Sequence, residues 1–327
     1  MNSYISSSDH PYRNRFLIFG IFLFLLTAAA GTLNIILAST VEKAVLDKKR
    51  REERFWQEKI RPAPDYAVLF LGDSRTYRGV NPEITGQILS LKCYNLGFSS
   101  GGLNREIFRL AETKLDLSQP RIVIVLGISP LTLSENAYAN QHYKTLLTQK
   151  DAAPEENETW LQTFFIPMDH ERWNIFRKSL KKKKKPERTA KIFFASGWQS
   201  IDLPFSRERY DDGLELYRVR FQNYRFSNES LEELTAAVRG WKKRGFHVFA
   251  FRPPAPAEMV GIEDALYDET RVKQAFSDAG GIWLDLPADA YQTYDASHLT
   301  TESSQRFSRD LAVKIKDCLT DQATGLP

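Results

Sequence analysis

Short apolar runs recur along the chain, and each has the length of a strand rather than of a buried helix. They are rich in Val, Ile, Leu and Phe, residues that pack well on both faces of a central strand. The five runs are 67–71, 93–97, 121–127, 246–252 and 282–286. We therefore expect five strands buried inside a sheet.

Segments with helical spacing of their apolar residues follow or separate these runs. Ser230 and Glu233 also match a capping box, which predicts a helix start at Ser230. The predicted helices are 82–91, 103–115, 230–244, 262–279 and 301–319. Strands that alternate with helices form parallel sheets, so the pattern predicts an α/β protein, a three-layer α/β/α sandwich with a parallel five-stranded sheet.

The N-terminal region contains the longest apolar stretch, 16–38, whose polar breaks are Thr27, Thr32 and Asn34. Its length suits a transmembrane helix. A cleavable signal peptide is the alternative, because the small residues 28–31 resemble a cleavage site. More Lys and Arg follow the stretch than precede it, and a simple charge count places the following domain in the cytoplasm.

The domain organisation follows from these features. A polar tail (1–15) precedes the transmembrane anchor (16–38), a charged helical stalk (39–64) ends in prolines, and one domain (65–320) precedes a short tail (321–327). The interval 135–228 departs from the strand–helix rhythm and is rich in aromatic residues, so we interpret it as an insertion. It forms either a cap that shapes a substrate groove or a separate helical core. Its lysine run 181–185 is either a solvated loop or a contact for a polyanion or anionic lipid.

Composition narrows the class of protein further. A chain of 327 residues with 42% hydrophobic residues and a net charge of +4 is neither a disordered chain nor a typical nucleic-acid-binding protein. Cys93 and Cys318 are its two cysteines, and their placement predicts neither a disulfide framework nor a metal site. We expect no metal and no cofactor.

Candidate chemistry begins where the first apolar run ends, at Gly72-Asp73-Ser74-Arg75. A glycine there allows a sharp turn, and ligands of open α/β sheets bind at the carboxyl ends of the strands. The alternative is that Asp73 and Ser74 only cap the next helix. Near the C-terminus, Asp295 and His298 lie in one tight loop and could supply the base and the carboxylate that a nucleophilic serine needs.

These motifs resemble those of the SGNH (GDSL) hydrolase superfamily. Its first block matches 72–74, its second matches Gly97, and its last matches Asp295 to His298. The third block differs, because residues 127–130 read Gly-Ile-Ser-Pro where the family has a Gly-x-Asn-Asp motif. This departure looks like the branch that O-acylates cell-envelope polymers. The resemblance implies a flavodoxin-like α/β/α fold.

The resemblance also implies roles for individual residues. Ser74 would be the nucleophile, His298 the general base and Asp295 the residue that orients it. Backbone N–H groups of Ser74 and Gly97 would hold the oxyanion. For the missing asparagine, Asn95 or Ser129 would substitute.

Two arginines beside these motifs are candidates for substrate binding. Arg75 follows the serine, and Arg252 ends the fourth apolar run. Arginine presents a rigid, permanently charged fork to an anionic group. A structural ion pair is the alternative for either residue.

The function implied is that of a membrane-tethered O-acyltransferase whose domain lies outside the cytoplasm, despite the charge count. Its partners would be an acyl donor, a polysaccharide acceptor and a membrane-bound acyltransferase, with no nucleic acid. A carboxylesterase or lipase is the first alternative. A non-catalytic polysaccharide-binding or assembly protein with the same fold is the second.

Overall fold

The structure is a computed structural model that describes residues 10–37, 43–99, 101–138 and 190–324. The chain divides into two units, 1–51 with 152–186 and 52–151 with 187–327. Helix α1 (His10–Leu37) belongs to the first unit, and its window Arg15–Thr32 is long and apolar enough to cross a membrane. The large apolar side chains of this window are exposed, as contact with lipid requires.

The second unit contains a parallel sheet built from the five predicted runs. Its strands stand in the order β2-β1-β3-β6-β7, and every neighbouring pair is parallel. These strands are β1 (Val68–Gly72), β2 (Cys93–Asn95), β3 (Val123–Gly127), β6 (His247–Phe251) and β7 (Ile282–Trp283). Strands β4 (Ala190–Phe193) and β5 (Gln199–Asp202) form a separate antiparallel hairpin.

Helices cover both faces of the sheet. After α1, the helices of the described residues are, in chain order, α2 (Lys43–Ile60), α3 (Ser74–Gly79), α4 (Pro82–Leu89), α5 (Arg105–Glu112), α6 (Glu135–Tyr138), α7 (Arg207–Gln222), α8 (Asn228–Lys243), α9 (Ala257–Asp264), α10 (Glu269–Asp278) and α11 (Thr301–Thr324). Short 3₁₀ helices span Pro130–Leu133 and Ala288–Ala290. The expected α/β class and parallel five-stranded sheet are confirmed.

Alternate side chains of each central strand enter different cores. In β1, Leu69 and Leu71 pack with α5, α8 and α10, whereas Val68 and Phe70 pack with α11. Both faces of the strand are dry, so its sequence is apolar at every position. This burial explains why the strands could be predicted from apolar runs in the sequence.

Two helix predictions differ from the structure. The segment 262–279 forms α9 and α10 rather than one helix, because Asp268 leaves the helical conformation and its Oδ1 accepts a hydrogen bond from Arg271 N at 3.0 Å. Helix α8 begins before Ser230, since Ser227 is its cap and accepts from Ser230 N at 3.0 Å. In both places a local side-chain bond decides where the helix starts.

The predicted stalk is helical, but its last two turns are part of the domain. Phe55, Trp56 and Ile60 of α2 are buried in the same core as Leu69 and Tyr77. The charged residues of the segment masked this apolar face in the sequence. A domain that began at residue 65 would therefore lack part of its own core.

The described part of the aromatic insertion forms a small core of its own. Tyr210, Tyr217 and Phe221 of α7 are buried with Tyr224 and Met259. Residues of α7 also line a cavity beside Ser74, so the described part of the insertion has features of both interpretations, the helical core and the cap. Trp198 of the hairpin instead donates from Nε1 to Arg78 O at 3.0 Å. Residues 139–189, which include the aromatics 160–176 and the lysine run 181–185, lie outside the described residues.

Candidate active site

Ser74 stands at the carboxyl end of β1, as the first residue of α3. Gly72 makes the turn possible: its φ is +152°, and a Cβ there would lie 2.2 Å from Thr76 Oγ1 and 2.8 Å from Gly127 O. Asp73 caps α3, since its Oδ1 accepts from Arg75 N at 2.9 Å. The capping interpretation therefore applies to Asp73, while Ser74 is left to make other contacts.

The position of Ser74 within the sheet is the one at which α/β proteins bind ligands. The crossover from β1 leads to β2 on one side, and the crossover from β2 leads back past β1 to β3, so the strand order reverses between the neighbours β1 and β3. The loops that follow the two neighbouring strands separate at this point and leave a crevice. Ser74 lies at its base.

His298 and Asp295 complete a hydrogen-bond chain that starts at Ser74. The Ser74 hydroxyl lies 2.9 Å from His298 Nε2, and His298 Nδ1 lies 2.8 Å from Asp295 Oδ2. Asp295 Oδ1 also accepts from His298 N at 2.7 Å and from Ser297 N at 3.1 Å, which holds the loop in a tight turn. A carboxylate can only accept, so Nδ1 carries the proton and Nε2 accepts from the serine.

The surroundings favour a neutral imidazole and an ionised carboxylate. Burial, followed by the positive charge of Arg78, lowers the pKa of His298, although Asp295 opposes the shift. Burial alone would raise the pKa of Asp295, but His298 and the backbone N–H groups bring it below its ordinary value. The imidazole is thus available as a base at neutral pH.

Tyr294, which contacts the histidine, and Arg78, whose charge acts on it, are residues that the sequence did not reveal. The Tyr294 ring stacks on His298 with 5.8 Å between centroids, and its hydroxyl accepts from Arg78 Nη1 at 2.9 Å. Tyr294 directly precedes Asp295, and this adjacency was the one available signal. Arg78 comes near only because α3 and the 293–299 loop meet in the fold.

The expected oxyanion donors other than Ser74 are engaged elsewhere, which corrects the prediction for each. Gly97 N donates to Asn95 Oδ1 at 3.0 Å, and Asn95 Nδ2 donates to Thr76 O and Val80 O. Ser129 is fully buried, and its hydroxyl donates to Asp73 Oδ2 at 2.7 Å. These groups hold the Ser74 turn from behind rather than facing a substrate.

The two candidate substrate-binding arginines form a buried ion-pair cluster. Arg75 Nη2 pairs with Glu263, and Arg252 Nη2 lies 2.9 Å from Glu263 Oε2. Arg252 also pairs with Asp264 and Glu269. Both the Arg75 and the Glu263 side chains are buried, so a substrate cannot reach this pair. Arg75 and Arg252 therefore form structural ion pairs, which was the alternative interpretation of the sequence.

A cavity of about 470 Å³ opens beside the serine. Ser74 and Asp73 lie at one end, and helices α6 and α7 supply most of the remaining wall. Other lining residues are Leu131, Ser134, Asn136, Ala137, Tyr217, Val219, Arg220, Asn223 and Tyr224. This volume is within the range of small-molecule sites. Within the described residues, no group of three or more His, Cys, Asp or Glu side chains could hold a metal.

No protein-family model matches the chain, and no curated protein matches its sequence. The fold and the site define an α/β protein with a parallel five-stranded sheet. At the carboxyl edge of that sheet it carries a Ser–His–Asp hydrogen-bond chain.

Proposed function

We propose that this chain is a membrane-tethered serine acyl-transfer enzyme of the SGNH type, which O-acylates a cell-envelope or extracellular polysaccharide. The observation that carries the proposal is the hydrogen-bond chain from Asp295 through His298 to Ser74, which lines a cavity. A serine hydroxyl is a weak nucleophile unless a base removes its proton, and this geometry supplies that base.

The reaction follows from the positions of these three residues. Ser74 Oγ attacks the ester carbonyl of the donor while His298 Nε2 takes its proton, and Asp295 stabilises the imidazolium. His298 then protonates the leaving alkoxide, which departs and leaves an acyl-Ser74 ester. An acceptor hydroxyl attacks this ester, His298 takes its proton, and Ser74 leaves with a proton from the imidazolium.

The oxyanion of each tetrahedral intermediate needs hydrogen-bond donors. The backbone N–H of Ser74 has no acceptor among the described residues, so it is the donor that this part of the chain offers. Gly97, Asn95 and Ser129 are engaged and do not contribute in this arrangement. One such donor is worth on the order of a hundredfold in rate.

The proposal also covers location and partners. Helix α1 supports a membrane tether, and the resemblance of the motifs to envelope enzymes supports a domain outside the cytoplasm. A membrane-bound acyltransferase would then deliver the acyl donor. Reporters active only inside or only outside the cell, fused after Pro327, test the orientation. Activity of the inside reporter alone would exclude an envelope polymer as the acceptor.

Labelling with a fluorophosphonate tests the nucleophile. The full chain in detergent should be labelled, and Ser74→Ala should abolish the labelling. Ser134→Ala is the matched control, because Ser134 lines the same cavity but does not contact His298. Equal labelling of wild type and Ser74→Ala would show that the nucleophile lies elsewhere.

Product analysis then separates transfer from hydrolysis. With an activated acetyl ester as donor, a transferase should turn over faster when a polysaccharide is added, and the acetyl group should appear on that acceptor. An esterase would hydrolyse the donor at the same rate with or without it. A chain that binds polysaccharide equally well as wild type and as Ser74→Ala, and is not labelled, would be a binding protein.

A further inference from the structure

Lys59, in the last turn of α2, is a buried lysine that contacts the loop behind the serine. Its side chain is fully buried, and its Nζ donates to Asn95 O at 2.7 Å and to Gly97 O at 2.8 Å. Its hydrogen-bond partners in the described part of the chain are these two backbone carbonyls. A buried ammonium is costly unless its surroundings compensate for lost water, so the site must hold this group closely.

Aromatic rings supply the remaining surroundings. The Nζ atom lies 4.8 Å from the ring centroid of Phe55, 5.7 Å from that of Trp56, 5.3 Å from that of Tyr77 and 5.8 Å from that of Phe98. Ring faces attract a cation most strongly when it is desolvated. Burial, and then the charge of Lys114, lower the pKa of Lys59 well below its ordinary value. We call the four rings and two carbonyls the Lys59 cage.

Both carbonyls of the cage belong to residues that touch the Ser74 turn. Asn95 Nδ2 donates to Thr76 O at 2.9 Å and to Val80 O at 2.8 Å, which ties the end of β2 to helix α3. Gly97 packs so closely that a Cβ there would lie 2.9 Å from Tyr77 N and 3.1 Å from Asp73 O. A displacement of either carbonyl would therefore move the turn that carries Ser74.

We propose that Lys59 is a positioning residue for Ser74, which acts by holding the carbonyls of Asn95 and Gly97 and, through them, the 73–77 turn. The catalytic meaning of this inference rests on the proposed function, in which Ser74 is the nucleophile. The inference that Lys59 holds the 73–77 turn in place does not depend on that function. If Lys59 has this role, helix α2 is a component of the candidate active site.

Lys114 provides a matched control. It is also buried, and its Nζ donates to Glu58 O at 2.9 Å and to Arg61 O at 2.7 Å. It thus fastens the same end of α2, but its bonds do not reach the loop after β2. If buried lysines here serve only to dock α2, the two residues should behave alike.

The test compares Lys59→Met and Lys114→Met in the full chain in detergent. Methionine keeps most of the stem volume and removes the ammonium. At a temperature where near-ultraviolet circular dichroism shows both variants folded, Lys59→Met should react with the fluorophosphonate about tenfold more slowly or worse, since small misplacements of a reacting group are costly. Lys114→Met should stay within about twofold of wild type. Equal rates for Lys59→Met and wild type, or an equal slowing in both variants, would overturn the proposal.

Hydrogen exchange gives a second readout that does not need a reactive serine. Thr76 N and Tyr77 N donate to Asp73 O at 3.1 and 3.2 Å, and their exchange should accelerate in Lys59→Met but not in Lys114→Met. Unchanged protection in Lys59→Met refutes the inference. An unlabelled wild type would instead refute the proposed function and leave the exchange result decisive. If Lys59→Met does not fold, the milder Lys59→Gln is judged by the same two measurements.

Discussion

Two loops meet Ser74, and they use their polar groups in opposite ways. In the 293–299 loop, Asp295 accepts three hydrogen bonds from its own turn and from His298, and the chain of bonds continues to the Ser74 hydroxyl. In the loop after β2, both polar atoms of the Asn95 side chain bond to backbone groups inside the protein. One loop is bonded to the serine that lines the cavity, whereas the polar groups of the other bond within the protein.

The difference shows what separates a reactive group from a structural one. Gly97 matched a family block and Asn95 was a candidate oxyanion donor, yet the hydrogen bonds that both residues make join them to buried groups inside the protein. A satisfied buried network rigidifies a fold and has no lone pair or proton left for a substrate. In the proposed reaction, His298 can act as the base because its hydrogen bond reaches the Ser74 hydroxyl.

The largest effect should come from the loop that delivers a group. His298→Ala removes the base and should slow fluorophosphonate labelling of Ser74 by about four orders of magnitude. Thermal unfolding measured in parallel separates the loss of the base from any loss of stability. His247→Gln, at the start of β6, is the control and should label normally. Rapid labelling of His298→Ala would remove the distinction between the two loops.

The buried ion pair tests whether Arg75 is a support or a substrate contact. Glu263→Gln leaves the buried Arg75 guanidinium without its counter-charge and should destabilise the fold by about 4 kcal/mol. Asp264→Asn is the matched control, because the Asp264 side chain, unlike that of Glu263, is exposed, and its loss should cost less than about 1 kcal/mol. Thermal unfolding followed by circular dichroism measures both. If Glu263→Gln is as stable as wild type but binds substrate with a different affinity, Arg75 contacts the substrate.

A substitution in the supporting loop should lower the free energy of unfolding more than it lowers the labelling rate. Asn95→Ala removes the side-chain hydrogen bonds of Val80 O and Gly97 N and one of the two bonds that Thr76 O accepts, and these losses together should cost about 3 kcal/mol. Chemical denaturation of the full chain in detergent measures this change. The exposed Asn223, which lines the cavity, is the control position and should tolerate alanine. An Asn95→Ala variant as stable as wild type would contradict the support role.

The smallest effect concerns the pH dependence of the histidine. Labelling requires neutral His298, whose pKa is lowered by burial and by Arg78, so the rate should be full at neutral pH and fall only as pH drops through a midpoint below 6.5. Arg78→Gln removes a nearby positive charge, so the pKa and the midpoint should rise. Arg218→Gln, on the exposed side of α7, should leave the midpoint unchanged. A midpoint that falls in Arg78→Gln would reverse the proposed electrostatics.

Much of the fold could be predicted from the sequence because the patterns that specify strands and helices are local. Strand β1 is apolar at every position since both its faces are dry, and the same holds for β3. Helix ends were less readable, as Ser227 and Asp268 show, because several residues nearby can cap a helix and packing selects among them. The proximity of Ser74, His298 and Asp295 was expected from motifs alone, and the structure places them together.

By itself, then, the sequence determined the strand and helix alternation, the apolar N-terminal helix, and the residues that form the Ser–His–Asp chain. Only the tertiary structure decided which polar residues face the cavity and which support it. Glu263 meets Arg75 across 188 positions, and Lys59 reaches Asn95 from a segment that reads as a charged stalk. Such contacts depend on which faces of distant elements pack together. A period of two or 3.6 residues specifies that a face is buried, but not which charge or carbonyl lies opposite it.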